Sequence, residues 1–476
     1  MKDFKGPRKE SYYNRIEEFV TQKHEFSTTQ MIMYGFLTAI VIGTILLSLP
    51  IASADGTRTP FIDALFTATT STCVTGLTTV TTATHWSIFG KIVILILIQF
   101  GGLGIVTFTT TILLMLRKRI TLKERLLIQD AYNLDTLQGM VKLTIRIMKG
   151  TFLVEGIGAI LYAIQYVPEF GFFSGIGKAI FNSVSAFCNA GMDLIGDASL
   201  APYKEVPLIN ITTMLLIIIG GIGFPVWWDI IRIGRERMKD KFGIKAIWRK
   251  MELHTKLVLT VTCILIVSGT VLIFLMEYNN PQTIGNMTLG DKVMASAFQS
   301  VTTRTAGFQT IPQENFTHSS NLLFIIFMFI GGSPSGTAGG IKTVTVAVLI
   351  LTILASIRNK QDVEVYKRQI TDSFVRKSIA VFGVSFIVLI ASTLLLSIAE
   401  AGHEFLDIFY ETTSAIATVG LTRGFTGQLS SLGKIIIIVT MYLGRIGPIT
   451  LALAFNSHKK EKRNSRKLPT DKILVG

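Results

Sequence analysis

Long uncharged apolar runs alternate along this chain with short segments rich in Ala, Ser, Thr and Phe, and the alternation repeats four times. Runs at 30–49, 92–116, 208–228, 257–276 and 378–399 are each long enough for a helix across a bilayer, which takes about 20 apolar residues. Further crossings are predicted over 143–167, from 321 and over 435–455. Between paired crossings lie the short segments, predicted as helices at about 61–77, up to 191, 291–308 and 404–421. Each ends on a glycine: Gly76, Gly191, Gly307 and Gly420, at intervals of 115, 116 and 113 residues. Ten residues before the glycine stands Phe66, Phe181 or Tyr410, with Phe298 nine before Gly307. A polar residue follows each aromatic: Thr67, Asn182, Gln299 and Glu411. A crossing, a short helix, a glycine bend and a second crossing make a re-entrant pore loop. Four diverged copies surround one axis with pseudo-fourfold symmetry.

The predicted fold is therefore an all-α polytopic membrane protein of four helix–pore loop–helix units, with eight transmembrane helices and four pore helices. The boundaries are a charged N-terminal segment 1–29, pore units 30–130, 131–250, 251–370 and 371–456, and a basic tail 457–476. Composition agrees: 49% of residues are hydrophobic, only 16% are charged, and mean hydropathy is +0.51. The first 26 residues are charged and lack the apolar core of a cleavable signal. Cys73, Cys188 and Cys263 are too few and too dispersed for a disulfide framework or metal cluster, and Cys73 and Cys188 read as small packing residues.

A net charge of +15 raises nucleic acid as a partner, so its distribution decides. Most of the 46 Lys and Arg fall in the N-terminus, 117–149, 232–256, 358–377 and the tail. That asymmetry is the positive-inside rule, with both termini cytoplasmic and a lipid bilayer rather than nucleic acid as the partner. The segment 232–256 carries nine cations, more than topology needs. Anionic lipid accounts for some of the excess, and docking of a charged partner for the rest.

Glycine clusters recur in the second crossings, at 101–104, 220–223, 331–332 and 444–447. Small residues let helix backbones approach, so close packing is the simplest reading of the first two. The third is different. Residues 321–357 form a 37-residue run, roughly 55 Å as a helix against about 30 Å of hydrocarbon. The break falls at Gly331, Gly332, Ser333, Pro334, Ser335, Gly336, Thr337, Ala338, Gly339 and Gly340. Open backbone at that depth must lie against protein or a water-filled cavity. It reads as a movable plug beneath the bends, with a kinked packing helix as the alternative.

The chemistry at the bends is carbonyl coordination of a cation. Glycine allows an extended backbone to point its oxygens inward, and the preceding helix aims its negative end at the ion. Charges inside the runs need separate readings. Arg445 lies in a crossing, where it either faces the cavity and holds the plug or forms a buried ion pair. Lys342 snorkels to the cytoplasmic interface or takes part in the gate. Arg304 is expected behind the bend, braced on carbonyls or on Glu411. Glu155 is a packing or relay carboxylate.

Rival chemistries find little support. Residues 336–343 nearly spell a phosphate-binding loop, but Ile341 interrupts the Gly-Lys pair and no strand precedes. The six histidines lack metal-ligand spacing. No catalytic residues are assigned, so an ATP-driven pump or intramembrane enzyme is disfavoured. An ion symporter built on the same pore is the nearer rival.

The segments TATTSTCVTGL, NSVSAFCNAGM, FQSVTTRTAGF, ETTSAIATVGL, GGSPSGTAGGIKT and YLGRIGPIT together resemble the Trk, Ktr and HKT superfamily of potassium transporters. Only some 30 residues precede the first crossing, so the resemblance is nearest to the KtrB-type membrane subunit, without the two extra N-terminal helices of a Trk-type chain. It implies potassium uptake through a filter of backbone carbonyls from Val74, Thr75, Gly76, Asn189, Ala190, Gly191, Thr305, Ala306, Gly307, Thr418, Val419 and Gly420. It implies gating by Gly331, Gly332, Ser333, Pro334, Ser335, Gly336, Gly339 and Gly340 with Arg445. It further implies a homodimer in the plasma membrane, docked on a cytosolic nucleotide-binding ring of the RCK type, with the potassium ion bound and no covalently attached cofactor. Four glycines at the filter imply potassium preference, since serine at the first position goes with sodium permeation.

Overall fold

The computed structural model describes residues 28–104, 107, 140–241, 243–360 and 362–447. Most of the charged N-terminal segment, most of the basic segment 117–149, the end of the last crossing and the basic tail lie outside them. Unit one runs α1 (Thr28–Leu47), α2 (Phe61–Cys73) and α3 (Ile88–Leu103). Unit two has α4 (Met140–Phe170), α5 (Phe172–Cys188) and α6 (Pro207–Gly221), continued by α7 (Phe224–Asp240) and α8 (Ile244–Lys250). Unit three has α9 (Leu253–Glu277), α10 (Leu289–Thr302), α11 (His318–Phe329) and α12 (Thr343–Ile357). A small antiparallel hairpin of β1 (Val363–Val365) and β2 (Arg368–Ile370) leads into unit four. That unit comprises α13 (Asp372–Ala399), α14 (Phe405–Ala417) and α15 (Ser431–Ile446).

The short helices α2, α5, α10 and α14 occupy the centre, and the long ones surround them. Burial follows from that placement. Thr67, Thr69, Thr70, Ser71 and Thr72 of α2 are buried, as are Asn182, Ser183 and Ser185 of α5. Large apolar side chains on the long helices face outward instead: Ile45, Leu153, Ile160, Ile264, Val267, Ile387 and Leu394 are all more than half exposed. An apolar outside and a hydroxyl-rich inside is the arrangement a bilayer demands of a polytopic protein. The aromatics Phe66, Phe181, Phe298 and Tyr410 are wholly buried wedges that seat each short helix against its neighbours.

The second crossings are not the continuous helices that hydropathy predicts. Helix α3 stops at Gly104 (φ 79°), α6 bends by 97° into α7 at Gly223 (φ 90°), and α15 stops at Gly447 (φ 88°). Among the described residues, four helical stretches span by length and composition alone: Gln30–Leu47, Thr144–Phe170, Leu253–Glu277 and Asp372–Ala399. The α6–α7 pair passes only when taken together. Glycine in the left-handed region breaks the ladder at a depth where an apolar count sees nothing unusual. The glycine clusters also pack. A side-chain carbon on Gly101, Gly220 or Gly444 would strike the carbonyl of Thr72, Phe187 or Ile416 respectively.

Two buried carboxylates organise the packing away from the axis, Glu277 within unit three and Glu155 between units one and two. Glu277, fully buried at the end of α9, accepts from Asn280, Thr283, Ser320 and both the amide and hydroxyl of Thr317. Glu155 in α4 accepts from Gln99 Nε2 at 3.3 Å, and its own backbone carbonyl accepts from Ser183 Oγ at 2.6 Å. It thus packs α3, α4 and α5 together. Cys73 and Cys188 are buried thiols, and Cys188 lies beside Gln99 and Glu155.

Candidate functional site

Each central helix ends by turning one residue into the left-handed region: Val74 (φ 55°), Asn189 (φ 59°), Thr305 (φ 64°) and Thr418 (φ 50°). Non-glycine residues rarely hold that conformation, so the turn must be paid for by contacts. The next amide donates back into the helix: Thr75 N to Thr70 O, Ala190 N to Ser185 O and Val419 N to Ser414 O, each at 2.8 Å. In unit three Ala306 N donates to Thr302 O at 3.0 Å. Side-chain hydroxyls complete the cap. Thr70 accepts from Gly76 N (2.9 Å), Ser414 from Gly420 N (3.0 Å), and Ser185 from Met192 N (3.1 Å).

Unit three departs from this pattern because Val301 stands where the others carry a hydroxyl. There Thr302 Oγ1 donates to Phe308 O at 2.7 Å instead. Sequence reasoning missed these hydroxyls. The signal was present as a Thr or Ser six residues before the glycine in three copies of four.

Beyond the turn the four glycines meet. Gly76 (φ 101°), Gly191 (φ 64°), Gly307 (φ 79°) and Gly420 (φ 94°) all have positive φ. A side-chain carbon on Gly76 would lie 2.5 Å from Ala190 O, and one on Gly191 would lie 2.6 Å from Ala306 O. On Gly307 it would strike Val419 O, and on Gly420 it would strike Thr75 O. The order one to two, two to three, three to four and four to one closes a ring. Four extended segments therefore converge at one point, each glycine packed on the carbonyl preceding the next.

Outside the ring a cavity of about 120 Å³ is lined by the four glycines with Thr78, Asp193, Asp197, Ser199, Gln309 and Thr422. Hydrogen bonds cross from unit to unit around it. Thr81 donates to Asp197 (2.5 Å), Leu200 N to Gln309 O (2.9 Å), and Gln309 Nε2 to Thr422 O (3.4 Å). Lys434 pairs with Asp63 at 2.7 Å to join units four and one. Burial pushes the Asp193 carboxyl above its usual range, against opposing bonds from Ser199 and the Ile195 and Gly196 amides.

On the inner side, residues 331–340 form a re-entrant excursion. Its two strands lie side by side, with Gly331 N donating to Ile341 O (2.9 Å), Ile341 N to Phe329 O (3.2 Å) and Thr343 N to Gly332 O (2.9 Å). The tip is pinned to unit two: Ser333 N to Gly221 O (2.9 Å), Thr337 N to Gly220 O (3.1 Å), and Phe224 N to Ser335 O (3.1 Å). Residues 337–339 touch three of the four turn residues. Thr337 Oγ1 bonds Asn189 Oδ1 and Phe187 O, both at 3.0 Å. Gly339 N donates to Thr305 Oγ1 (3.2 Å), and Gly339 is packed so closely on Thr418 Oγ1 that no side chain fits there. Thr337 is the contact residue that reading the glycines alone overlooked.

Arg445 closes the fourth side. Its guanidinium donates to Thr337 O at 2.8 Å and to Gly101 O, joining the excursion to unit one. It stands in the last turn of α15, whose C-cap is Gly447. Its contacts are these two carbonyls, and no ion pair to it occurs among the described residues. Lys342 does not snorkel. Its Nζ donates to Ala338 O (2.6 Å) and Gly339 O (3.4 Å), since the start of α12 turns it back over the excursion.

The expected Arg304–Glu411 brace is not formed among the described residues. Glu411 accepts instead from Thr422 (2.8 Å) and Thr426 (2.5 Å) of its own unit, because the turn after Gly420 folds back over α14. Arg304 is buried at the carboxyl end of α10, where the helix dipole favours a cation, and its Nε has no hydrogen-bond partner. The described residues hold no group of His, Cys, Asp and Glu able to bind a metal ion.

A family model described as "Cation transport protein", TrkH, matches residues 10–467. The chain is 39% identical to the Ktr system potassium uptake protein B of Bacillus subtilis, covering 95% of this chain and 97% of the relative. It is 37% identical to the potassium/sodium uptake protein NtpJ of Enterococcus hirae, covering 95% and 98%. The crystal structure of the potassium transporter TrkH from Vibrio parahaemolyticus superposes with a TM-score of 0.69, covering 90% of this chain and 86% of that one, at 19% identity. At that identity the likeness is one of fold.

Proposed function

The chain belongs to the TrkH family of cation transport proteins, and on that premise we propose that it takes up potassium as the ion-translocating subunit of a Ktr-type system. The observation that carries the reading is the closed ring of Gly76, Gly191, Gly307 and Gly420, with the carbonyls of Thr75, Ala190, Ala306 and Val419 against it. Backbone oxygens from 74–76, 189–191, 305–307 and 418–420 replace the water shell of a dehydrated cation. Oxygens on a backbone held by caps and positive φ resist collapse onto a smaller ion. The excursion 331–340 lies directly inside the ring and is the gate, with Arg445 as its latch and Lys342 as a second tie. The five pore-unit and tail boundaries given above follow from the same scheme, with eight crossings.

Purified protein in liposomes should take up rubidium down its gradient without ATP, with potassium competing better than sodium. Uptake that requires ATP hydrolysis by this chain, or shows no preference for potassium, would overturn the reading. Flux compared with and without sodium separates a passive pore from a symporter.

The partners follow by the same reasoning: a homodimer in the plasma membrane, with both termini cytoplasmic, carrying an RCK-type nucleotide-binding ring. Here the geometry supplies a route. The basic helix α7 begins at the α6–α7 bend, and its first residue, Phe224, donates directly to Ser335 of the excursion. Arg235, Arg237 and Lys239 along it and Lys241 at its end are exposed. Asp229 ties α7 to the start of α9 by accepting from the Glu252 amide (2.9 Å), and Arg232 of the same helix pairs with it at 2.5 Å. A ring pulling on α7 thus acts on the gate through one hydrogen bond rather than through α12. Neutralising Arg235, Arg237, Lys239 and Lys241 together should weaken co-purification with the ring and abolish most of the nucleotide response, leaving ion preference intact. Ring binding and response that both survive would confine these cations to topology and lipid.

A further inference from the structure

A second inner cavity, of about 240 Å³, lies between the excursion and unit four. Its walls include Phe329, Lys342, Val381, Ser385, Ile416 and Arg445. Two of these are cations, and neither has a carboxylate partner among the described residues. Among the described residues the lining includes no acid. Among them too, Lys342 bonds the carbonyls of 338 and 339, and Arg445 those of 337 and 101. A lysine ammonium has three donors and a guanidinium five, so both retain donors for a ligand in the cavity. Two unneutralised cations sharing a largely apolar cleft in the membrane are costly, and an anion shared between them lowers that cost.

The rest of the wall selects among anions. Phe329, Val381 and Ile416 are apolar and suit a ligand with hydrocarbon attached, not a hydrated free ion. Val381 and Ser385 share α13 with Phe382 and Phe386, apolar residues that are 39% and 47% exposed, and the Phe382 ring packs on Phe329 of the cleft. Arg376 and Lys377 at the start of α13 mark the cytoplasmic headgroup level. Val381 lies four residues from Lys377, about 6 Å along the helix. A headgroup drawn slightly inward reaches the cleft.

We propose that this cleft binds the phosphodiester of an anionic membrane lipid between Lys342 and Arg445. A bound phosphate competes with the carbonyls of 337–339 for both cations and loosens the excursion, so anionic lipid favours conduction. The effect on conduction rests on the excursion being the gate; the binding does not.

The test uses the full-length purified chain with dioctanoylphosphatidylglycerol as the probe. The lipid should raise the melting temperature of the wild type, and inorganic phosphate at the same concentration should not. Lys342→Gln removes one cation, while Ser385→Leu fills the cleft and leaves both cations in place. Each should abolish most of the shift. In vesicles, adding phosphatidylglycerol to phosphatidylcholine should raise wild-type rubidium flux about fivefold, the effect expected for one neutralised cation, and should not do so in either variant. A thermal shift equal in all three proteins would overturn the site. A shift reproduced by inorganic phosphate would overturn the lipid as its source. Lipid binding that both variants lose, with no lipid dependence of wild-type flux, upholds the site and removes the gate reading instead.

Discussion

Gly76→Ser should lower the preference for potassium over sodium by roughly tenfold, the factor expected when backbone strain of 1–2 kcal/mol is placed on an ion-coordinating turn. Two effects act together at this position. Its φ of 101° is one that a side-chain-bearing residue rarely adopts. The added carbon would also lie 2.5 Å from Ala190 O and 3.2 Å from the α-carbon of Gly191. It would lie 3.3 Å from the α-carbon of Gly420 as well, so backbone must shift in units two and four, and the ring oxygens move off the spacing that suits a larger ion. The serine hydroxyl also adds a donor near a site that otherwise offers only acceptors. Relative permeability measured from reversal potentials or competitive flux checks this. Thr70→Val is the companion variant: it removes the hydroxyl that accepts from Gly76 N without adding bulk, and should shift preference in the same direction by less. Unchanged permeability ratios in Gly76→Ser would remove this glycine from the filter.

The spacing of those glycines was legible in the sequence because backbone conformation selects glycine irrespective of surroundings. So was the excursion, since a run well beyond the bilayer thickness with a proline and five glycines must break. The breaks at Gly104, Gly223 and Gly447 were not legible. A cluster that lets backbones touch and a cluster that ends a helix have the same composition, and here the same clusters do both. Gly101 packs on Thr72 O while Gly104, three residues on, turns the chain. The fates of Lys342 and Arg304 also escaped the one-dimensional pattern. Snorkelling assumes a continuous helix to the interface, and α12 instead begins at Thr343, which folds Lys342 back over the excursion. Pairing Arg304 with Glu411 assumed that opposite charges in adjacent units seek each other. Two threonines of the same unit reached Glu411 first. Thr337 escapes a composition-based reading for the opposite reason: glycines mark the break, whereas the hydroxyl and carbonyl of this threonine make the contacts.

Arg445→Ala should raise basal flux roughly tenfold or more, because hydrogen bonds to a charged group contribute about 1.5–3 kcal/mol each and two are lost. Both restrain the closed arrangement. One holds Thr337 O and the other holds Gly101 O, so the guanidinium spans the excursion and the wall of unit one. Removing it also takes a fixed positive charge from beneath the ring, which by itself favours entry of a cation. The two contributions can be separated. Arg445→Lys keeps the charge but not the planar fork that reaches two carbonyls, so its flux should fall between wild type and alanine. Thr337→Val keeps Arg445 and its carbonyl partner but removes the hydroxyl bonds to Asn189 and Phe187, and should also raise flux. Both variants release the same segment, so the double variant Thr337→Val, Arg445→Ala should fall short of the sum of the two free-energy effects, as expected of residues sharing one element. Strict additivity would mean that they restrain different elements. A fall in flux for Arg445→Ala at normal protein levels would make the guanidinium a structural tie and leave the gate without its latch.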